Sequence, residues 1–410
     1  MNNCDKPGLM PVEIAVERIL AQSASITEYQ TLELFEALGR VLVNDITSPI
    51  NVPPANNSAM DGYALYSKDL LHTDTLLEVG TAMAGKPYMG HLASGQCIRI
   101  MTGAVIPAGA DAVVMQEQTE KDGSKVRFLK TPSAGNSIRS AGEDIAIKRI
   151  VLSKGQTLKP ADLALLASIG VSKVEVTRKI KVALIATGDE LTIPGEPLVE
   201  GAIYESNRIA LRAMLSTLQC EVIDFGIVED KLEALSYVIN AAASECDLVI
   251  SCGGVSVGDA DLVKDVLIQN GKVDFWKVAI KPGKPFAFGK IQQALFCGLP
   301  GNPVSSYVTF QQLVIPLINK LAGKPSAKQI LLTATTSTDI RKRAGRADFQ
   351  RAVFYTDEEG KLLVEPNKKQ GSGVMSSIAF SNCYILLEKD QSDLKKGSSV
   401  RIQPFDFIQC

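Results

Sequence analysis

The stretch Asp247–Asp265, DLVISCGGVSVGDADLVKD, decides how this chain is read. Leu248, Val249 and Ile250 form an apolar run that predicts a buried strand. Gly253, Gly254 and Gly258 follow, and a helix is expected to begin near Asp259. A strand, a glycine-rich turn and a helix are how an α/β sheet presents backbone N–H groups to an anion. The run from Gly253 to Gly258, which includes Ser256, has the first half of a phosphate-binding loop. Its second half is missing, because Asp259 and Ala260 stand where Lys and Ser or Thr would follow. An acid beside a phosphate repels it unless a cation lies between them. The expectation is a loop that holds an anionic ligand through backbone N–H groups, with Asp259 or Asp261 facing a metal ion.

Around this stretch the chain alternates strands and helices. Lys181–Ala186 reads as a strand, Leu211, Met214, Leu215 and Leu218 as a helix face, and Glu221–Val228 as a second strand. Leu232, Leu235 and Ile239 mark another helix, and Pro303 behind Asn302 starts a last one. The pattern predicts a parallel α/β sheet with helices on both faces, whose ligands bind beyond the carboxyl ends of the strands. The polar motifs TGDEL (Thr187–Leu191), SCGGVSVGDAD (Ser251–Asp261), KPGKP (Lys281–Pro285) and GLPGNPVSS (Gly298–Ser306) fall at those ends.

Upstream, Val12, Ala15, Val16, Ile19 and Leu20 share a helical face, and Leu32–Leu38 is read as a short helix between Thr31 and Gly39. From Asn57 to Lys148 short strands and glycine turns predict a small β-rich domain, and Lys159–Ile169 another helix before Gly170. Beyond Leu331 strand-like alternation returns, as in a small barrel or sandwich. The expected domains are a discontinuous N-terminal helical domain (1–48 and 149–178), a β-rich insertion (49–148), an α/β domain (179–327) and a C-terminal β domain (328–410).

Composition removes several classes of function. Lys and Arg number 43 against 45 Asp and Glu, for a net charge of −2, so nothing favours nucleic-acid binding. No apolar run approaches the roughly 20 residues of a membrane span, and MNNCDKPG lacks the features of a secretory signal. Eight cysteines without a C-x-x-C pair, and only two histidines, fit reduced thiols in a cytoplasm and speak against structural zinc. A metal would then be a hard cation on oxygen ligands.

The candidate chemical groups read as follows. Lys277, Lys281 and Lys284 beside the glycine loop can neutralise phosphates or an oxyanion; a solvated lysine patch is the ordinary alternative. Asp189 and Glu190 can share Mg²⁺ with Asp259 or Asp261, or can be helix N-terminal acids favoured by the macrodipole. Arg341, Lys342, Arg343, Arg346 and Arg351 make a basic turn that suits a phosphate clamp or simple solvation. In the β-rich domain NNSAMDGYA, RIMTGAVIP and IRSAGEDI are glycine turns that carry Asp61, Thr102, Arg139, Glu143 and Asp144. His72 and His91 are isolated, Trp276 reads as core, and no nucleophile–base arrangement is evident. On these residues the chain is expected to be a soluble enzyme that binds a phosphorylated anion with a divalent cation.

The nine motifs NNSAMDGYA, RIMTGAVIP, AGEDI, TGDEL, IYESN, SCGGVSVGDAD, KPGKP, GLPGNPVSS and GRADFQR, taken in order from residue 56 to residue 351, resemble the molybdopterin molybdenumtransferase family, known as MoeA in bacteria and as the E domain of gephyrin. The resemblance covers essentially the whole chain. It implies a four-domain homodimer with a helical dimerisation domain. It also implies a reaction in which adenylylated molybdopterin and molybdate give molybdenum cofactor and AMP in the presence of Mg²⁺. The family's functional positions fall on Asp61, Thr102, Asp144, Glu190, Asp230, Asp261, Lys277, Lys281, Arg351 and Ser372, with Gly253, Gly254, Ser256, Gly258 and Pro300 in the binding set. The expected metal ligands are Glu190, Asp259 and Asp261. Asp61 and Thr102 of the partner subunit would close the cleft, and Arg351 and Ser372 would guard the side where molybdate enters. Partners implied in the same way are a molybdopterin adenylyltransferase and downstream molybdoenzyme chaperones. Two departures from the family pattern are Cys252, in place of a small hydroxyl residue, and Asn56, where an acid is frequent. An adenylyltransferase and a non-catalytic scaffold are the rival readings, and tungstate is not distinguished from molybdate.

Overall fold

Val182 to Ala186 is apolar at every position, and a strand with no polar face needs cover on both sides. The computed structural model, which describes residues 9–253, 266, 271–326 and 329–405, shows that cover. Val182 and Leu184 enter one apolar cluster, and Ala183 and Ile185 enter a second, as two-residue alternation requires.

The strand belongs to a six-stranded sheet in the order Glu221–Val228, Lys181–Thr187, Leu248–Cys252, Ala294–Leu299, Pro285–Ile291, Gly271–Lys277. The first four strands are parallel, as expected. Pro285–Ile291 runs antiparallel to both its neighbours, so Gly271–Lys277 again runs with the first four. Ile291 pairs with Ala294 across only Gln292 and Gln293, and so short a connection can only reverse the chain. Trp276, at this edge, packs against Phe286 and Phe288 in the core. The expected helix near Asp259 lies outside the described residues.

Helix Asn207–Thr217 buries Leu211, Met214 and Leu215 on one face of the sheet, and Leu232–Glu245 buries Leu235, Ile239 and Ala242 on the other. Pro303 does open a helix, Pro303–Thr309, which continues through Phe310–Val314 to Ile315–Leu321. The middle segment widens into a π turn. Pro316 accounts for it, since it has no N–H for the carbonyl four residues back and its ring crowds that turn.

The chain divides into two compact units, Met1–Gln30, Gly39–Val41 and Val176–Cys410 in one, and Thr31–Leu38 and Leu42–Glu175 in the other. Helix Val12–Ala21 carries the expected apolar face, yet Val12, Ala15 and Ile19 pack into the α/β core with Val314, Leu317 and Ile318 rather than with residues 149–178. Leu32–Leu38 holds only a 3₁₀ turn, Leu34–Ala37. Seven residues ending at Gly39 are too few to repay helix nucleation, and the Leu34 N–H donates to Ser172 O instead.

In the first unit the C-terminal strands Leu332–Thr336, Ala347–Thr356, Leu362–Pro366, Cys383–Leu387 and Ser399–Pro404 close into a barrel. Closure comes from Ala347–Thr356, which pairs with both Leu362–Pro366 and Cys383–Leu387. Ala352, Val364, Ile385 and Ile402 fill it. Ile280–Lys281 adds a parallel bridge to Ala347–Asp348. The second unit is β-rich, around a six-stranded sheet in the order Ala112–Met115, Gly62–Leu65, Gln96–Ile100, Thr75–Ala82, Lys125–Phe128, Thr119–Asp122, together with helix Pro160–Ser168.

Ile19→Ala should lower the unfolding free energy by about 2–5 kcal/mol, as for a buried aliphatic truncation, read from urea midpoints. The exposed control Ile14→Ala should stay within about 0.5 kcal/mol. A neutral Ile19→Ala would separate this helix from the α/β core.

Candidate active site

The four parallel strands end together, and their carboxyl ends open on a cleft of about 1140 Å³. Thr187, Gly188 and Glu190 come from the first of these strands in chain order, and Asp230 follows the second. Cys252 and Gly253 come from the third, and Pro300, Gly301 and Asn302 from the fourth. Lys281 and Lys284 enter on the KPGKP loop, and Arg346 and Ser372 on two loops of the barrel.

Gly253 is where the backbone must be special. Its φ is +96°, and a Cβ there would lie 2.7 Å from Thr187 O. Its N–H donates to Leu299 O at 3.1 Å, which ties the third strand's end to the fourth. Gly254, Ser256, Gly258, Asp259 and Asp261 lie outside the described residues.

The cleft is divided electrostatically by the sheet order. Exposed Glu190 and Asp230 follow strands on one side, and the cations arrive from the KPGKP loop and the barrel on the other. The Glu190 carboxylate folds back over Gly188, where a Cβ would lie 2.8 Å from its Oε2. Asp230 accepts a hydrogen bond from the Thr187 hydroxyl. Lys281 Nζ sits 2.8 Å from Asp348 Oδ2. Asp348 is buried, with 3% of its side chain exposed, and also accepts from Gln350 Nε2 at 3.1 Å.

Two other cleft features concern expected residues. The Arg351 guanidinium is buried and donates to Ser377 Oγ at 3.1 Å, Phe349 O at 3.3 Å and Gly371 O at 3.4 Å. Burial lowers it from its ordinary value. It is not among the residues lining the cleft, and its bond to the Gly371 carbonyl places it behind the Ser372 loop. The side-chain amide of Gln370 clamps the Arg351 main chain, accepting from its N at 3.1 Å and donating to its O at 2.8 Å. The Ser372 carbonyl accepts from Val304 N at 2.9 Å, which fixes the loop to the last helix. Burial pushes the Cys252 thiol well up from its ordinary value.

Lys277 is exposed at the end of its strand and does not line the cleft. Asp61, Thr102 and Asp144 belong to the other unit. There, Asp61 Oδ1 accepts from both the Thr102 N–H and hydroxyl, each at 2.7 Å. These bonds, the backbone one first, hold its carboxyl below the usual value. Asp144 is exposed. The residues that sequence reasoning missed are Glu205 and Asp348. Glu205, in the IYESN motif, is 2% exposed and lines the cleft. Its Oε1 accepts from Arg208 N at 2.7 Å, and Arg208 in turn reaches Asp224 at 2.7 Å. An acid followed three residues later by an arginine at a helix start was the only local signal.

Three family descriptions account for this architecture in chain order. Residues 10–170 match the MoeA N-terminal region (domain I and II), 183–320 a probable molybdopterin binding domain, and 333–405 the MoeA C-terminal region (domain IV). A molybdopterin molybdenumtransferase of Haemophilus influenzae is 45% identical over 98% of this chain and 100% of its own length. The chain belongs to the molybdopterin molybdenumtransferase family. A relative of the same name from Nostoc is 34% identical over 91% of the chain and 88% of its own. The crystal structure of a molybdopterin biosynthesis protein moeA from Pyrococcus horikoshii superposes with a TM-score of 0.85 at 31% identity, covering 97% of this chain and 100% of that one. The family's multidomain α/β fold with a closed C-terminal barrel is the one seen here. The chain is thus a transferase enzyme of molybdenum cofactor biosynthesis.

Gly253→Ala should cost about 1–3 kcal/mol of stability through its left-handed backbone, measured by denaturant unfolding; an unchanged midpoint would contradict this geometry. The Asp61 carboxyl should titrate below an ordinary Asp in NMR, and Thr102→Val should move it upward because two bonds to the charged form lose one member. No movement would remove the pair.

Proposed function

We propose that this chain inserts molybdenum from molybdate into adenylylated molybdopterin with release of AMP, the last step of molybdenum cofactor synthesis. The carrying observation is a single cleft that holds acids at one side and Lys281, Lys284 and Arg346 at the other. A pterin nucleotide brings phosphates and molybdate brings an oxyanion, so both substrates need cations and backbone donors at short range. The start of the last helix, at Asn302 and Pro303 on the cleft wall, adds a positive helix end. Lys284 neutralises charge on the leaving AMP phosphate as the phosphoanhydride breaks, and Lys281 and Arg346 with Ser372 receive the oxyanion.

A divalent cation fits the donor set. Glu190 offers exposed carboxylate oxygen, and Mg²⁺ commonly takes one or two carboxylates with substrate phosphates. Among the described residues no three His, Cys, Asp or Glu cluster as a ready-made cage. Glu190, with Asp259 or Asp261, would hold the ion. When bound it supplies positive charge at the bridging phosphates.

The same reading makes the protein a homodimer in which a second copy's Asp61, Thr102 and Asp144 complete the cleft. Support comes from the described residues that line the cleft, all of which belong to the first unit, and from Phe35, 86% exposed, on the second. A cytoplasmic setting suits the six described cysteines, all free and buried. No helix among the described residues is long and apolar enough to cross a membrane. Adenylyltransferase and molybdoenzyme chaperones would be the partners before and after this step.

Purified protein with adenylylated molybdopterin and Mg²⁺ should release AMP only when molybdate is added. Glu190→Gln and Asp61→Asn should each lower that rate by roughly a hundredfold, the scale of losing one electrostatic contact to the transition state, while circular dichroism stays unchanged. Near-normal rates in both would sink these roles, and tight pterin-nucleotide binding without AMP release would favour the scaffold.

A further inference from the structure

Behind the cationic side of the cleft lies an ammonium group that the proposed reaction does not touch. Lys342 is 5% exposed, in the consecutive basic run Arg341–Arg343, where lysines are ordinarily solvated. Its Nζ donates to Arg346 O at 3.1 Å, Arg343 O at 3.3 Å and Gln391 O at 3.3 Å. Those three bonds use every donor an ammonium has. Its backbone N–H donates to Asp393 Oδ1 at 2.7 Å, so both ends of the residue are fixed. Burying an ammonium is costly, and burial lowers this one from its ordinary value. The cation therefore holds the Arg343–Arg346 turn from inside, and Arg346, whose carbonyl it grips, lines the cleft.

Asp348 does the matching task for Lys281. The parallel bridge sets Lys281 opposite Asp348, and Ala347 N donates to Ala279 O at 2.8 Å, so main chain brings the two loops together before side chains meet. The buried carboxylate then takes the Lys281 ammonium at 2.8 Å, while Gln350 Nε2 bonds both Asp348 Oδ2 at 3.1 Å and Arg341 O at 2.8 Å. On the far side of the same loop, Gly283 has a φ of +113° and packs against Thr309 Oγ1. A negative charge placed here weakens the cleft's pull on an anion. The same carboxylate faces the buried Lys342 and Arg351 cations, and it also fixes where the Lys281 ammonium sits.

We propose that Lys342 and Asp348 are positioning residues for the oxyanion arm of the cleft: Lys342 fixes the turn that delivers Arg346, and Asp348 fixes the Lys281 ammonium. This rests on the molybdate-dependent reaction proposed above. Neither residue touches substrate, so its loss should act on molybdate saturation and leave the pterin nucleotide alone.

The test uses full-length wild type, Lys342→Met, Lys342→Arg and Asp348→Asn. AMP release is measured against molybdate concentration at saturating adenylylated molybdopterin, beside nucleotide affinity and thermal midpoints. Lys342→Met and Asp348→Asn should raise half-saturating molybdate about tenfold, with maximal rate and nucleotide affinity near wild type. Lys342→Arg, which keeps charged donors, should recover part of the shift. Asp348→Asn carries the sign that matters. If the carboxylate acted through charge alone, its removal would lower half-saturating molybdate, and that result overturns the assignment. So does a loss of nucleotide affinity in step with molybdate and thermal stability, which would mark a plain structural role. If Lys342→Met fails to fold, Lys342→Arg and Asp348→Asn decide. A molybdate-dependent wild type with unshifted variants overturns this inference alone, whereas a molybdate-independent wild type overturns the proposed function and this inference with it.

Discussion

A parallel strand packed on both faces has no place for a polar side chain except at its end. That constraint organises the first unit. Val182 to Ala186 and Leu248 to Ile250 are consumed by the two apolar clusters, so Thr187, Glu190, Asp230 and Gly253 can only appear where the strands stop. Four strands stopping side by side leave one cleft, with the start of the last helix as part of its wall. The site is thus a consequence of how the sheet is covered.

The second constraint is the reversal at Gln292 and Gln293. By turning the sheet antiparallel, it sends the strand Pro285–Ile291 back with its amino end at the cleft, and that end carries KPGKP. An all-parallel continuation would have placed the same lysines at the opposite edge. The short bridge from Ile280–Lys281 to Ala347–Asp348 then fastens this loop to the barrel. Acids on strand exits and cations on a strand entrance therefore meet in one space, though they lie far apart in the chain.

These facts decide what was legible in the sequence. Local periodicity located the strands at 181–187 and 248–252, the faces of the helices at 207–217 and 232–245, and the helix start at Pro303, because those patterns answer to a neighbour that is always present, the sheet. The motifs that collect in the cleft were legible for the same reason, since only strand ends tolerate them. Position along the chain misled where partners are distant. Val12–Ala21 showed an apolar face but not what would cover it, and Leu32–Leu38 had helix-like composition without the length to nucleate. Arg351 and Lys342 read as solvated or ligand-binding cations, because nothing local says that a basic residue will be buried. Their partners are carbonyls of Gly371 and Gln391, which are close only after the barrel closes. Asp348 went unnoticed because its partner lies 67 residues away.

The buried cations also explain why the barrel belongs to the site instead of merely following it. Arg351 and Lys342 donate to neutral carbonyls and a hydroxyl, and the Asp348 carboxylate acts on both electrostatically. Apolar side chains of similar volume would pack such positions at lower desolvation cost. What apolar groups cannot do is hold carbonyl oxygens, and the carbonyls held here are those of Arg346, on the cleft wall, and of Gly371, next to Ser372. A loop whose carbonyls are gripped from the inside has lost most of its freedom before any ligand arrives. An oxyanion meeting such loops does not have to order them, so less of the attraction between anion and cations is spent on conformational entropy. The barrel, on this argument, is the part of the molecule that keeps the cationic side of the cleft in one shape.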